Sequence, residues 1–152
     1  MTQESKAPWT CSVCGAPAAR WSTDPLPVEF REGTYAATGF TYEHCDGCGE
    51  SLISARDMDS VQRVAVELAR ADLGRMTSDE IHSLRHELGL RQSDLEVQLG
   101  VGVGTVGRWE RGAVLQTRMA DNFMRVLWAH PELVTHSDLV ARESRGPYRK
   151  RD

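Results

Sequence analysis

The chain has 152 residues, with 18 Lys and Arg against 22 Asp and Glu and a net charge of −4 at pH 7. Its 40% hydrophobic and 26% charged residues are those of a soluble globular protein, and no apolar run approaches the ~18 residues of a membrane span. Membrane, collagen-like and wholly disordered classes are excluded, the acidic balance argues against a nucleic-acid binder, and with no basic stretch leading into an apolar one near Met1, no secretory signal is read and a cytoplasmic location is expected.

The length suits one ordinary domain or two small ones, and a domain of about 50 to 70 residues often needs a staple. The first third holds all four cysteines, as Cys11-Ser12-Val13-Cys14 and Cys45-Asp46-Gly47-Cys48, with 30 residues between the pairs. In a reducing cytosol such cysteines are metal ligands or redox groups rather than structural disulfides. Each CxxC knuckle places two thiolates at a Zn–S distance of about 2.3 Å, and two knuckles close a tetrahedron with no open position for water. Cys11, Cys14, Cys45 and Cys48 are therefore the expected ligands of one structural Zn2+, which supplies folding free energy to a module with too small a core to fold alone. The spacing is longer than the ~15 to 20 residues of the commonest ribbon, and a hairpin inserted between the knuckles absorbs the excess. A thioredoxin-type dithiol and two disulfides are the alternatives; a redox CxxC opens a helix within a βαβ pattern, whereas these pairs lie among Gly15, Gly47 and Gly49. His44 could be a ligand, but four thiolates already satisfy the metal. His82, His86, His130 and His136 show no compelling pairing at ligand spacing.

Between the knuckles, Val28-Glu29-Phe30 and Phe40-Thr41-Tyr42 alternate as strands, with Gly33 and Gly39 available for turns. After Cys48 the period becomes helical: from about Asp57 to Asp72, Val61, Val64, Ala65 and Leu68 recur on one face, expected to pack on the zinc-side strands, until Gly74 breaks the pattern. Thr77-Ser78-Asp79-Glu80 then reads as a capping box opening a helix whose buried face is Ile81, Leu84 and Leu88, with Gly89 at its end. A short helix over Gln92 to Leu99 ends at Gly100, a third runs from about Val103 to Glu110 and stops at Gly112, and a fourth from Thr117 to His130 turns Ala120, Phe123, Met124 and Leu127 inward before Pro131. A fifth short helix is expected around Glu132 to Leu139. The tail from Arg142 is basic and expected to be mobile.

The expected fold class is α+β and multi-module: residues 8–73 form a small β-rich zinc-binding module with a connecting helix, 77–140 an all-α five-helix helix-turn-helix domain for DNA binding and dimerisation, and 141–152 a flexible basic tail. The stretch from Leu90 to Gly112 reads as helix, glycine turn, helix and stop, with Leu95, Leu99, Val101, Val106 and Trp109 at buried spots. That spacing packs two short helices steeply and leaves the outer face of the second free for a major groove.

The same stretch resembles the Cro/repressor-type (XRE) helix-turn-helix family: a Gln opens its first helix, Leu99-Gly100-Val101 forms the turn, and Thr105-Val106 and Arg108-Trp109-Glu110-Arg111-Gly112 follow. By that resemblance Gln92 meets phosphate, Thr105 and Arg108 lie on the groove-facing helix with Val103 and Gly104 at its start, Trp109 and Glu110 are structural, and Arg111 touches phosphate or is solvated. Together with the CxxC pairs, roughly residues 8 to 140 resemble the MqsA-type antitoxins with a YgiT-type zinc finger, including the run from Arg125 to Leu133. Two positions depart from that pattern. Arg91 stands where Thr or Ser is common, losing an N-cap worth roughly 1 kcal/mol, and Gly104 stands where an Asn reads bases. Gly104 and Gly107 also cost about 1 kcal/mol each inside a helix.

Residues 1–74 hold six basic and eleven acidic groups, a net of −5, and residues 75–152 a net of +1. Four thiolates around one Zn2+ add −2, making the first half about −7 and confining the case against nucleic acid to it. The resemblance implies an antitoxin, not an enzyme: a zinc module that neutralises an RNA-cleaving toxin, and a homodimer that represses its own operon at a palindrome. Arg91, Arg108, Arg111 and the tail are the candidate phosphate contacts. Val126, Trp128, Leu133 and Val134 mark the expected dimer interface. A stand-alone zinc-containing transcriptional regulator is the alternative function.

Overall fold

The structure, a computed structural model, describes residues 8–134. The chain divides into two compact units, Met1–Ala65 and Val66–Asp152. Among the described residues no helix is long and apolar enough to cross a membrane.

In the first unit, β1 (Ala19–Ser22), β4 (Tyr42–Cys45) and β5 (Ser51–Leu52) form an antiparallel sheet in the order β1-β4-β5, while β2 (Leu26–Phe30) and β3 (Gly33–Ala37) form a separate hairpin. The hairpin's second strand is Gly33–Ala37 and not the expected Phe40–Tyr42, of which only Tyr42 is a strand residue, in β4. The reason is register: a tight turn at Arg31-Glu32 pairs Tyr35 with Val28 and buries Ala37 opposite Leu26, so the chain reverses sooner than the aromatic pattern suggests. Leu26, Ala37, Tyr42 and Val61 make one small core, and Cys11, Ala19 and Cys45 another. Val61 belongs to α1 (Ala55–Asp72), which thus packs on the strands as expected. Its inward face keeps the expected Val61, Val64 and Ala65 but not Leu68, which is exposed, while Val66, Ala69 and Arg70 are buried. The Val61-Ala65-Ala69 row keeps an i, i+4 spacing, and its companions lie one residue C-terminal to it, which turns Leu68 outward.

The second unit begins with the last turns of α1 and continues with α2 (Ser78–Glu87), α3 (Gln92–Leu99), α4 (Thr105–Glu110) and α5 (Arg118–Ala129). The capping box forms as read: the Glu80 amide donates to Thr77 Oγ1 at 3.2 Å and the Thr77 amide to Glu80 Oε2 at 2.8 Å. Gly100 ends α3 in the left-handed region at φ 64°, where the Val101 amide reaches back to the Glu96 carbonyl. Three expectations change. α4 starts at Thr105 rather than Val103, because Gly104 sits before it at φ 78°, outside helical space; only Gly107 is a glycine of the helix itself. Phe123 is 40% exposed while Ala120, Met124 and Leu127 are buried, the i, i+4, i+7 row being completed without it. Among the described residues a 3-10 turn, Pro131–Leu133, stands where the fifth helix was expected. The remainder of that helix, His136 and the basic tail lie outside the described residues.

The core of this unit gathers Met76, Ile81, Leu84, Leu95, Val106, Trp109, Ala120, Met124 and Leu127. At its edge is a fully buried arginine. Arg70 Nε donates to Gln116 Oε1 at 2.9 Å, Nη2 to the Trp109 carbonyl at 2.9 Å and Nη1 to Glu67 Oε1 at 2.6 Å, with a further bond to Ser78 Oγ. Gln116 in turn donates to the Met76 carbonyl and to Asp121 Oδ1. Burying a guanidinium is costly unless its donors are matched; this network matches them with oxygens from α1, α2, α4 and the loop before α5.

Candidate functional site

The two CxxC segments are built alike. Cys11 starts a turn in which the Gly15 amide donates to the Cys11 carbonyl at 2.9 Å, and Cys45, at the end of β4, starts one in which the Gly49 amide donates to the Cys45 carbonyl at 2.8 Å. Gly15 and Gly49 adopt φ of 75° and 76°, the left-handed conformation that reverses the chain after four residues. The Asp46 amide donates to the Ala18 carbonyl at 3.0 Å and ties the second knuckle to the first. Gly47 fits there because it has no side chain: a Cβ would lie 3.2 Å from the Ala16 Cβ and 3.5 Å from the Cys45 sulfur.

The four Sγ atoms converge within 4.8 Å of one another. Cys11 to Cys48 is 4.0 Å and Cys14 to Cys45 is 3.7 Å. Four thiolates tetrahedral about one ion, at metal–sulfur bonds of about 2.3 Å, have sulfur–sulfur edges of about 3.8 Å. The set could therefore hold a metal ion as it stands. All four cysteines are free thiols, and neither pair opens a helix: Cys11 and Cys14 lie in a turn and Cys45 ends β4. The Cys48 amide, against burial and with the Gly47 amide beside it, draws the Cys45 thiol down to about 7. The Glu50 amide favours the Cys48 thiolate, yet burial and the sulfurs of Cys14, Cys45 and Cys11 push that thiol up to about 12. Four sulfurs this close repel one another's charge, and a cation at their centre relieves that repulsion. His44 stays outside the group: its Nδ1 lies 3.1 Å from Ser51 Oγ and its Nε2 3.6 Å from Asp46 Oδ1.

A second set of side chains meets around α3, the glycine turn and α4. Gln92, Val103 and Gly104 line one open groove with Arg85, Arg91, Ser93 and Glu96. Thr105 and Arg108 share the outer face of α4, where Arg108 Nη2 donates to Thr105 Oγ1 at 3.2 Å. Val103 is 95% exposed. Arg111 and Gln92 both come up to Gly107, where a Cβ would lie 3.0 Å from Gln92 Oε1 and 3.2 Å from Arg111 Nη1; the glycine lets α3 and α4 approach. Gln92 also donates to Glu110 Oε2 at 2.7 Å, and Glu110 receives Arg85 Nε at 2.5 Å. Although burial opposes it, Arg85 and Gln92 hold the Glu110 carboxyl below the usual carboxylate range.

Two residues that shape this surface were not legible beforehand. Glu96 is 5% exposed, and its Oε1 accepts from the Val106 amide at 3.1 Å. It thus caps α4 from a neighbouring helix, where Gly104 has no side chain to do so. At the start of α3, the Asp94 carboxylate accepts from the Arg91 amide at 3.0 Å and from its guanidinium at 2.9 Å, so one amide of that terminus is satisfied despite Arg91 replacing a capping Ser or Thr. An Asp three residues on was a usable signal for the second feature; nothing local marks Glu96.

Residues 9–137 match the family model described as the antitoxin component of bacterial toxin–antitoxin systems, MqsA. The chain is similar to the antitoxin MqsA of Escherichia coli (strain K12), with 26% identity over 125 residues that cover 82% of this chain and 95% of that protein. With both CxxC knuckles and the α3–α4 surface inside the matched span, the chain belongs to the MqsA family of antitoxins.

Proposed function

We propose that the protein is the antitoxin of a type II toxin–antitoxin pair, acting in the cytoplasm by binding rather than by catalysis. Residues 8–73 hold one structural Zn2+ through Cys11, Cys14, Cys45 and Cys48 and neutralise a cognate toxin, an RNA-cleaving enzyme. Zinc suits four thiolates in a closed tetrahedral set. The excess of acidic residues in this part of the chain complements a basic, RNA-binding partner. Residues 77–140 form a helix-turn-helix with α3 as its first helix and α4 as the groove-facing one. There Thr105 and Arg108 face base edges, Val103 and Gly104 approach the backbone, and Gln92 and Arg111 meet phosphate.

A homodimer aligns two copies of α4 about 34 Å apart on a palindrome, and Val126 and Leu133, 44% and 50% exposed, supply part of an apolar interface. The observation that carries the reading is the family match spanning both the four-cysteine cluster and the α3–α4 pair. The test is co-expression with the product of the neighbouring small reading frame. A stable complex that restores growth, and a shift of the operon's own promoter fragment by the purified protein, are expected; absence of both overturns the proposal.

A further inference from the structure

His82 and His86 form a pair that the sequence did not advertise. They lie four residues apart on α2, both exposed, with ring centroids 4.3 Å apart and planes inclined at 48°. Of the other described histidines, His44 is engaged with Ser51 and Asp46, and His130 lies 3.1 Å from Glu132 Oε1. The His82 and His86 imidazoles are held by no hydrogen bond among the described residues. Ile81, Leu84 and Arg85 bury the opposite side of the helix, so the backbone carrying the two rings is fixed by the core.

We propose that His82 and His86 are a second metal site: an exposed two-imidazole chelate for a borderline divalent transition ion of the nickel, copper and zinc class, separate from the four-cysteine cluster. Neutral imidazole suits these ions, while Mg2+ and Ca2+ take oxygen donors. Residues at i and i+4 on a helix are direct neighbours, and α2 is already ordered by its capping box and core contacts. The second ligand therefore binds at the high effective concentration of an intramolecular partner. Two protein ligands leave the remaining positions to water. The four thiolates are a closed set of softer donors, so the two sites differ in ligand type and in exchange rate. An ion bound there adds two positive charges to the unit that carries α3 and α4.

The test uses the full-length protein with one equivalent of zinc already added, titrated with Ni2+ while the histidine ring protons are followed by NMR and released zinc is measured. One further equivalent of Ni2+ should bind, with paramagnetic broadening centred on His82 and His86, and without zinc release. His82→Ala or His86→Ala alone should weaken binding about tenfold or more, the double variant should abolish it, and His130→Ala should change nothing. Both substitutions sit on the exposed face of a helix, where Ala is well tolerated, so loss of binding is read in a folded protein. Broadening centred on His44 or His130, or undiminished Ni2+ binding by the double variant, overturns the site.

Discussion

Arg70 shows how much one residue decides in the helical unit. Its side chain is fully buried, and its donors hold the Trp109 carbonyl at the end of α4, the Gln116 side chain and Glu67. Arg70→Met leaves those acceptors unpaired in an apolar setting, at about 1 to 3 kcal/mol for each one that water cannot reach. A loss of about 3 kcal/mol or more is expected in urea denaturation of the helical signal, and Arg70→Lys should recover little because an ammonium lacks the planar fork. Equal stability of wild type and Arg70→Met would show that the network contributes nothing net. Arg108 is a contrasting case. Its side chain is exposed and, among the described residues, bonded only to Thr105 of the same helix, so Arg108→Ala should leave stability within about 0.5 kcal/mol. Under the proposed function it should weaken specific operator binding by about 1 to 3 kcal/mol; unchanged affinity would place base readout elsewhere.

At the scale of elements, α4 is the weakest structure by its own sequence. It has six residues, a glycine inside and a glycine in place of a cap, and a helix this short does not persist on propensity alone. It is held by its surroundings: by Glu96 on its first turn, by Arg70 on the Trp109 carbonyl, and by the core around its Val106 and Trp109. Glu96→Ala removes the cap and is expected to cost about 1 kcal/mol. Hydrogen exchange should quicken first at the Val106 amide, before any change at α2 or α5. Uniform acceleration across the unit would mean that Glu96 supports the core rather than α4. The β2–β3 hairpin teaches the same point from the strand side. The alternation of Phe40 with Tyr42 predicts a strand, but a strand needs a partner in register, and Gly33–Ala37 lies one tight turn from Leu26–Phe30. The knuckles, capping box and helix stops were legible because each is settled within about five residues by hydrogen bonds the chain makes to itself.

For the molecule as a whole, the two units should lose structure by different routes. The first has only small apolar clusters, one of which includes two of the four cysteines, so under the proposed function metal removal should unfold it. Chelation should abolish the near-ultraviolet signal of the Trp9–Trp21 pair, whose centroids are 5.4 Å apart, while helical circular dichroism is largely kept. Persistence of the tryptophan signal after complete chelation would make the cysteine set dispensable for folding.

The second unit should be acid-sensitive. Against the cost of burial, Arg125, the Met76 amide and Gln116 hold the Asp121 carboxyl below its usual range, and Glu110 is held down by Arg85 and Gln92. Because both folded values lie below the unfolded values near ~4, their stabilisation is complete above that pH and is lost as pH falls through the folded values. Urea midpoints should be flat above about pH 5 and fall below about pH 4, with a shallower fall in Asp121→Asn; an unchanged slope in that variant would remove Asp121 from the linkage.

Residue order alone was enough to single out the four cysteines that cluster, the boundaries of α2 and α3, and the family, because these rest on short spacings, turn glycines and caps that each segment satisfies by itself. Only the folded chain decided which strand completes the hairpin, that α4 begins after Gly104, that Leu68 and Phe123 face outward, and that Glu96 and Arg70 brace α4. The bracing of α4 in particular depends on partners brought together from other elements. Arg70 and Gln116 stand 46 residues apart, and no local rule reports whether a charged side chain will find enough acceptors to be buried. The His82–His86 pair belongs with them: its spacing was present from the start, but whether the two rings lie on the open face of α2 was fixed by what the other face packs against.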